Sequence, residues 1–378
     1  MRRAGAAGWF VHDVKNRGIT AWLITIFLLG FYILLYFGGK IFKPENDPFI
    51  LTAKAMGLPS KWTLYGLIYT IAILVCGIYV IIKYKHNRYQ IVRTCVVIFS
   101  QVVLAFSIPL MLKFFEQPEY YFSYIWPLKI EYFYPSTIVS QPLPFVLYSI
   151  FAGVVLAPFM ALIFGKRWYC SWVCGCGGLA NTFGEPWRHL SDKSSTSWKI
   201  EKFTIHAVLV LSVLVTIVAF ASVALPKSSG MVPVSKEIRS WYGLIIGSVL
   251  SGVVGVGLYP IGGTRIWCRF ACPMAALLGL VQKFGRFRIR VKKDMCISCG
   301  MCTTYCEMGI DVRAYAQANE SFTRASCVGC GICAEVCPRG VLRLENVHPK
   351  DPQELSLIDV EESWKGEDFS IQSRKKLN

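Results

Sequence analysis

Between Cys296 and Cys337 the spacing CxxCxxCxxxC occurs twice, as MCISCGMCTTYCE and as SCVGCGICAEVCPRG, with residues 307–326 between the two outer runs. Thiolate sulfur is the natural ligand of iron in a [4Fe-4S] cube. A doubled run of this kind, with the fourth cysteine of each copy crossing to the neighbouring site, is a two-cluster pattern. On that pattern Cys296, Cys299, Cys302 and Cys337 hold one cube, and Cys327, Cys330, Cys333 and Cys306 hold the other. Zinc usually takes its ligands in two spaced pairs, and a disulfide framework does not require this spacing, so both fit the eight thiols less well. Glu307 follows Cys306 where Pro338 follows Cys337, a departure expected to bear on solvent access at one cube and not on its ligation.

Two such cubes move single electrons and offer no substrate pocket, so function depends on what the rest of the chain connects them to. The chain has 378 residues, of which 54% are hydrophobic and only 17% charged, too little polar surface for a soluble protein of two domains. Most of it is therefore expected in a bilayer. A net charge of +17 would suggest nucleic acid in a soluble chain. In a membrane protein it reads as lysine and arginine retained on the cytoplasmic side, and no nucleic-acid partner is expected. Fifteen cysteines, eight of them in the doubled run, point to metal in a reducing compartment rather than to disulfides.

Apolar runs lie at Ile19 to about Phe37, Leu64 to Ile82, Ile91 to Leu112, Leu143 to Phe164, Phe203 to Leu225 and Tyr242 to Ile261, each near the ~20 residues a helix needs to cross hydrocarbon. Arg2, Arg3, Lys15 and Arg17 precede the first run, Lys83, Lys85, Arg88 and Arg93 lie between or at the edges of the second and third, and Lys166, Arg167, Arg188, Lys193, Lys199 and Lys202 lie between the fourth and fifth. The opposite loops carry Glu116, Glu119 and Glu131. The positive-inside rule then puts both termini and the cysteine-rich module in the cytoplasm of a multi-pass inner-membrane protein. The expected fold is an α-helical membrane domain of about six transmembrane helices over residues 1–284, an α+β ferredoxin-like 2[4Fe-4S] domain over 285–347 and a polar tail over 348–378. Within the module, strands are expected from Arg286 and from Gly340, after a helix from Met274 to Phe284. The loop from Phe114 to Thr137 is dense in Tyr, Phe and Trp and reads as an aromatic belt, with a quinone or partner surface as the alternative. Asn181 to Glu201 reads as a polar connector able to touch the module.

A second constellation is an internal repeat. Gly165-Lys-Arg-Trp-Tyr-Cys170-Ser-Trp-Val-Cys174 aligns with Gly263-Thr-Arg-Ile-Trp-Cys268-Arg-Phe-Ala-Cys272, giving GxRx[YW]CxxxC at one end of two apolar runs. If the CxxxC is helical, each pair of thiols stacks on one face, and two faces brought together by the repeat present four sulfurs. Four soft ligands suit an additional Fe-S cluster or a thiophilic ion such as Cu(I). Arg167 and Arg265 stand where they can stabilise thiolates or a cluster's negative charge. The alternative is that these cysteines are small residues permitting close helix packing.

These features together resemble the NapH/NosR/CcoG-type family of membrane ferredoxins, over roughly Leu143 to Val347; Cys268 to Pro273 gives the family's CxxxCP as RIWCRFACP. In the first copy Gly175 stands where the family has proline, and Cys176 adds a thiol in WVCGCGG, an extra candidate ligand. The resemblance implies membrane electron transfer between the quinone pool or a membrane partner and other subunits of a redox complex, or copper handling for assembly of a metalloenzyme. A non-catalytic anchoring role in an oxidoreductase complex is the third reading. His206 is the one histidine within an expected span, which disfavours a bis-histidine haem, and His12, His86 and His189 lie near the cytoplasmic face, where a quinone head could use one as proton partner. Cys76 and Cys95 read as small hydrophobes within helices. No GxGxxG or Walker loop occurs.

Overall fold

The computed structural model describes residues 18–42, 46–224 and 230–346. The basic lead with His12, and the tail from His348, lie outside the described residues. Among the described residues, five helices are long and apolar enough to cross a membrane: α1 Ile19–Ile41, α2 Lys61–Lys83, α3 Arg88–Phe114, α4 Leu143–Phe164 and α5 Ser195–Ala224. Local chemistry sets their ends. The side chains of Ser60 and Asn87 accept hydrogen bonds from the backbone N–H of Thr63 and Gln90, capping α2 and α3, and Lys83 closes the last turn of α2.

The sixth expected run, Tyr242 to Ile261, is divided differently. It is the second half of a helix that begins as α6, Met231–Tyr242, and continues through wider turns over Gly243–Val254 before the chain turns ahead of Tyr259. Lys236, Glu237 and Arg239 in its first half leave it less apolar than the other five. Similar wide turns cover Ser100–Ser107 in α3 and Phe151–Leu156 in α4. Both precede a proline, Pro109 and Pro158, whose ring lacks an N–H and crowds the carbonyl four residues back; widening that turn relieves the clash without ending the helix.

The aromatic loop is a packed cap rather than a belt. Tyr120, Ile125, Ile130, Tyr132 and Tyr134 are buried, and the Tyr120 ring stacks on Tyr132 at 4.6 Å and on Phe145 at 4.9 Å. The connector is shorter than expected, because α5 already begins at Ser195.

The repeat is visible in the backbone. Gly165 (φ 70, ψ 177) and Gly263 (φ 87, ψ 171) each end a helix in the same conformation, one that is essentially reserved for glycine. Each is followed by a short helix, Arg167–Cys170 or Ile266–Phe270, and then by a second that starts immediately after Cys174 or Cys272, namely Gly175–Asn181 and α7, Pro273–Gln282. The CxxxC is therefore not one helical face. The chain turns between its two cysteines, so the first lies in one short helix and the second stands immediately before the next.

The module follows α7. Strand β1, Phe287–Val291, pairs antiparallel with β2, Leu342–Asn346, with Ile289 opposite Leu344. Short helices Met301–Thr304 and Ile332–Glu335 sit within the two cysteine runs. The module is docked firmly on the helix ends. Arg286 N–H bonds to Leu162 O at 2.8 Å, Tyr89 Oη to Gly329 O at 2.7 Å, Gln90 Nε2 to Cys330 O at 2.9 Å and Ser171 Oγ to Val328 O at 2.7 Å. His86 and Asn87 both contact the Glu335 carboxylate, and Ser191 Oγ in the connector bonds to Glu307 O at 2.7 Å.

Gly263 faces the backbone of Ser191, where an added Cβ would lie 2.7 Å from the amide nitrogen, whereas Gly230, also left-handed, has open space around it. Gly230→Ala is therefore expected to cost about 1 kcal/mol of conformational strain, and Gly263→Ala at least twice that. Thermal unfolding of the two variants in the same detergent checks the order.

Candidate metal centre

Cys170, Cys174, Cys268 and Cys272 are all buried, at 4%, 7%, 6% and 4% exposure. The repeat brings them together: Cys170 interacts electrostatically with Cys268 and Cys174, and Cys272 with Cys268, Cys170 and Cys174. The second cysteine of each copy takes the same place at a helix start, and Cys272 Sγ there accepts the N–H of Ala275 at 3.4 Å. Both sulfurs thus sit at a helix start, where free N–H groups favour thiolate. Burial pushes the Cys170 thiol up to about 12, while a hydrogen bond with Cys176 brings Cys174 down to about 7. Cys176 lies beside this group: it bonds to Cys174, interacts with Cys268 and Cys272, and also lines a cavity. Gly175 replaces the repeat's proline for a steric reason, since a Cβ there would lie 2.8 Å from Tyr124 Oη.

In the module, Cys296, Cys299, Cys302 and Cys337 line one small cavity together with Arg313 and Arg339. Cys306, Cys327, Cys330 and Cys333 form the other group, in which Cys333 interacts with the other three. The structure therefore gathers the eight in the crossed sets expected from their spacing. The first set reaches the surface through Cys299, whereas Cys327 and Cys333 in the second are buried against the membrane domain.

Sequence reasoning missed the shell between these groups. Glu307 is 1% exposed and lies 3.1 Å from both Arg188 and Arg265, as close ion pairs whose N–H directions are not aligned as hydrogen bonds. Arg265 Nη1 also reaches Cys268 Sγ at 3.7 Å and Cys170 O at 3.0 Å, and Arg188 Nη1 reaches Cys330 Sγ at 3.6 Å. Arg93 Nη1 donates to Cys330 O at 2.6 Å. Lys166, 2% exposed, interacts with both Cys170 and Cys327. A usable signal was present, because an arginine such as Arg93 inside an apolar run is costly unless it has a partner.

This shell fits anionic clusters. Three buried guanidiniums share Glu307 as their common acid, and Arg93 Nε and Nη2, Arg188 Nε and Nη2, and Arg265 Nε are buried without hydrogen-bond partners. A thiolate-ligated cube carries net negative charge and offers sulfur acceptors at such positions. Among the described residues no three His, Cys, Asp or Glu side chains converge tightly enough to hold a single metal ion.

Comparison with known proteins matches these regions. A family model described as a 4Fe-4S dicluster domain matches residues 289–344, and one described as a 4Fe-4S binding domain matches 146–193 and 244–292, the two copies of the repeat. YccM of Escherichia coli K12, which carries the provisional name of an electron transport protein, is 24% identical over 155 residues, covering 39% of this chain and 43% of its own length. The methylamine utilization ferredoxin-type protein MauN is 28% identical over 158 residues in Paracoccus denitrificans Pd 1222, covering 41% of this chain and 53% of its own, and 26% identical over 176 residues in Methylobacillus flagellatus, covering 43% and 60%. The chain spans about half the length of the curated relatives it matches. No solved structure matches it.

Glu307→Gln leaves Arg188 and Arg265 facing one another without their shared acid. Removing one partner of a buried pair costs about 3–5 kcal/mol, and the expected result is faster proteolytic release of the module and a lower unfolding midpoint. Burial works against the charged form of Glu307, but Arg188 and Arg265 outweigh it and hold the carboxyl below its ordinary range. The stabilisation is thus present above the ordinary carboxylate value and lost as pH falls through the lowered one. Docking measured by proteolysis should accordingly be as tight at pH 5 as at pH 7.

Proposed function

We propose that this chain, a member of the membrane-bound 4Fe-4S ferredoxin-type proteins, relays electrons between the quinone pool and a redox partner in the cytoplasm. Three cysteine sets carry the relay in order. Cys170, Cys174, Cys268 and Cys272 lie at the membrane edge, Cys306, Cys327, Cys330 and Cys333 come next, and Cys296, Cys299, Cys302 and Cys337 reach the surface. Cubes bound there supply one-electron transfer. The chain keeps the sets in line and shields the inner two from water.

One observation carries this reading. Arg265 touches both Cys268 and Glu307, and Arg188 touches both Glu307 and Cys330, so a single buried ion chain joins the membrane-edge set to the module. A cube at the membrane edge, rather than a single copper ion, is supported by the 4Fe-4S binding match over both repeats. Anchoring alone would leave the buried cationic shell without a role. The orientation rests on Lys83, Lys85, Arg88, Lys166, Arg167, Lys193 and Lys199, which cluster in loops and helix ends on the side where the module docks.

The purified full-length protein should contain about twelve irons, four per cube. Cys268→Ser should remove about four of them, leave the module's spectra unchanged and stop reduction of the module by quinol. Eight irons in the parent protein would remove the membrane-edge site from the relay. A reporter fused near Glu119 should respond on the side opposite one fused at Asn378.

A further inference from the structure

A cavity of about 630 Å³ reaches from the aromatic cap to Cys176 and Trp267, the chain neighbours of the membrane-edge cysteines. That volume lies within the range of pockets for small organic ligands. Its two ends differ. Glu119, Lys129, Glu131 and Arg239 line one end, and Cys176 and Trp267 the other, with Tyr36, Tyr65, Tyr69 and Tyr124 among the walls.

Three residues that line this cavity each carry a buried polar atom without a hydrogen-bond partner: Gln101 Oε1, Tyr242 Oη and Trp267 Nε1. Their residues are 4%, 8% and 6% exposed. Gln101 is held in place because its Nε2 donates to Thr70 Oγ1 at 3.2 Å. Its free oxygen, Tyr124 Oη and Tyr69 Oη converge beside Gly175, within 3.6 Å of where a Cβ would stand. A buried polar atom left unpaired costs roughly 1–3 kcal/mol, and a ligand that pairs it recovers this cost. The indole N–H can only donate, the phenol can donate or accept, and the amide oxygen accepts.

We infer that this cavity binds the ring of a quinol or quinone, with Gln101, Tyr242 and Trp267 as partners of its ring oxygens. The inference rests on the reading above that the membrane-side carrier is a quinone. A hydroquinone has hydroxyls to give to Gln101 and oxygens to accept from Trp267 and Tyr242, and its flat ring suits tyrosine walls interrupted by Gly66, Gly247 and Gly252. Trp62, which is 43% exposed, carries the lining to the apolar outer surface of α2, an exit for an isoprenoid tail. The ring end adjoins the electron path through covalent neighbours, because Trp267 precedes Cys268 and Gly175 follows Cys174. In the oxidising direction a hydroquinone breaks two O–H bonds, releases two protons towards the Glu119–Lys129–Glu131 end and passes two electrons, one at a time, to the iron-sulfur groups of the relay. Reduction of the quinone reverses each step.

The test uses the full-length iron-loaded protein in lipid nanodiscs and a benzoquinone with a decyl tail, with binding followed by quenching of tryptophan fluorescence. Saturable quenching is expected, weakened roughly tenfold or more by Gln101→Leu. Gly247→Phe, which fills a position that has no atom within 4 Å of its Cβ, should abolish it. Both variants should keep the parent iron content and the spectra of the dithionite-reduced clusters. Wild-type affinity in both variants overturns the cavity assignment, and if quinol still reduces their clusters the relay reading survives it. A parent protein that neither binds the quinone nor is reduced by quinol, at full iron content, overturns the quinone reading together with the cavity. Quenching by cuprous ion in place of quinone gives the cavity to a metal and overturns the assignment as well.

Discussion

A carboxylate held between two arginines, all three nearly inaccessible to water, is the constraint on which this structure turns. Glu307 belongs to the module, Arg188 to the connector and Arg265 to the second copy of the membrane repeat. Each guanidinium is costly to bury alone, and so is the acid; together, with sulfur on either side, they are tolerable. The module and the membrane domain are therefore two halves of one buried electrostatic site. Separating them would strand like charges in a dry interior.

The relation of the two repeats follows from the same logic. Each copy contributes a glycine that ends a helix in a conformation other residues avoid, a cysteine within the short helix that follows and a cysteine immediately before the next. In the second copy a hydrogen bond from the following turn then aims at the second sulfur, that of Cys272. The copies differ where their surroundings differ: Pro273 begins the helix in one, while Gly175 does so in the other, where the Tyr124 hydroxyl occupies the space a side chain would need.

Much of this was legible because it is local. Eight cysteines at fixed spacing define the module, and flanking Gly and Arg residues expose the repeat, without knowledge of the fold. The expected strands from Arg286 and Gly340 lie at β1 and β2 within a residue or two. What the sequence hid is what distant segments do to one another. Glu307 read as a matter of solvent access until its distant partners, Arg188 and Arg265, closed around it. Arg93 read as a topological marker, although its guanidinium reaches Cys330 O. The sixth apolar run was legible only in its second half, because hydropathy alone does not reveal that its helix starts earlier, among charges. The aromatic loop read as a surface feature because ring content does not distinguish rings that face headgroups from rings that face one another.

The docking contacts carry a further consequence for how the chain tolerates change. Tyr89, Gln90, Arg93, Ser171 and Ser191 supply side chains, but what they grip on the module is main chain: the carbonyls of Gly329, Cys330, Val328 and Glu307. A carbonyl is present whatever residue bears it. Side chains of the module that do not meet the membrane half, unlike Glu307 and Glu335, can therefore change without loosening these main-chain contacts.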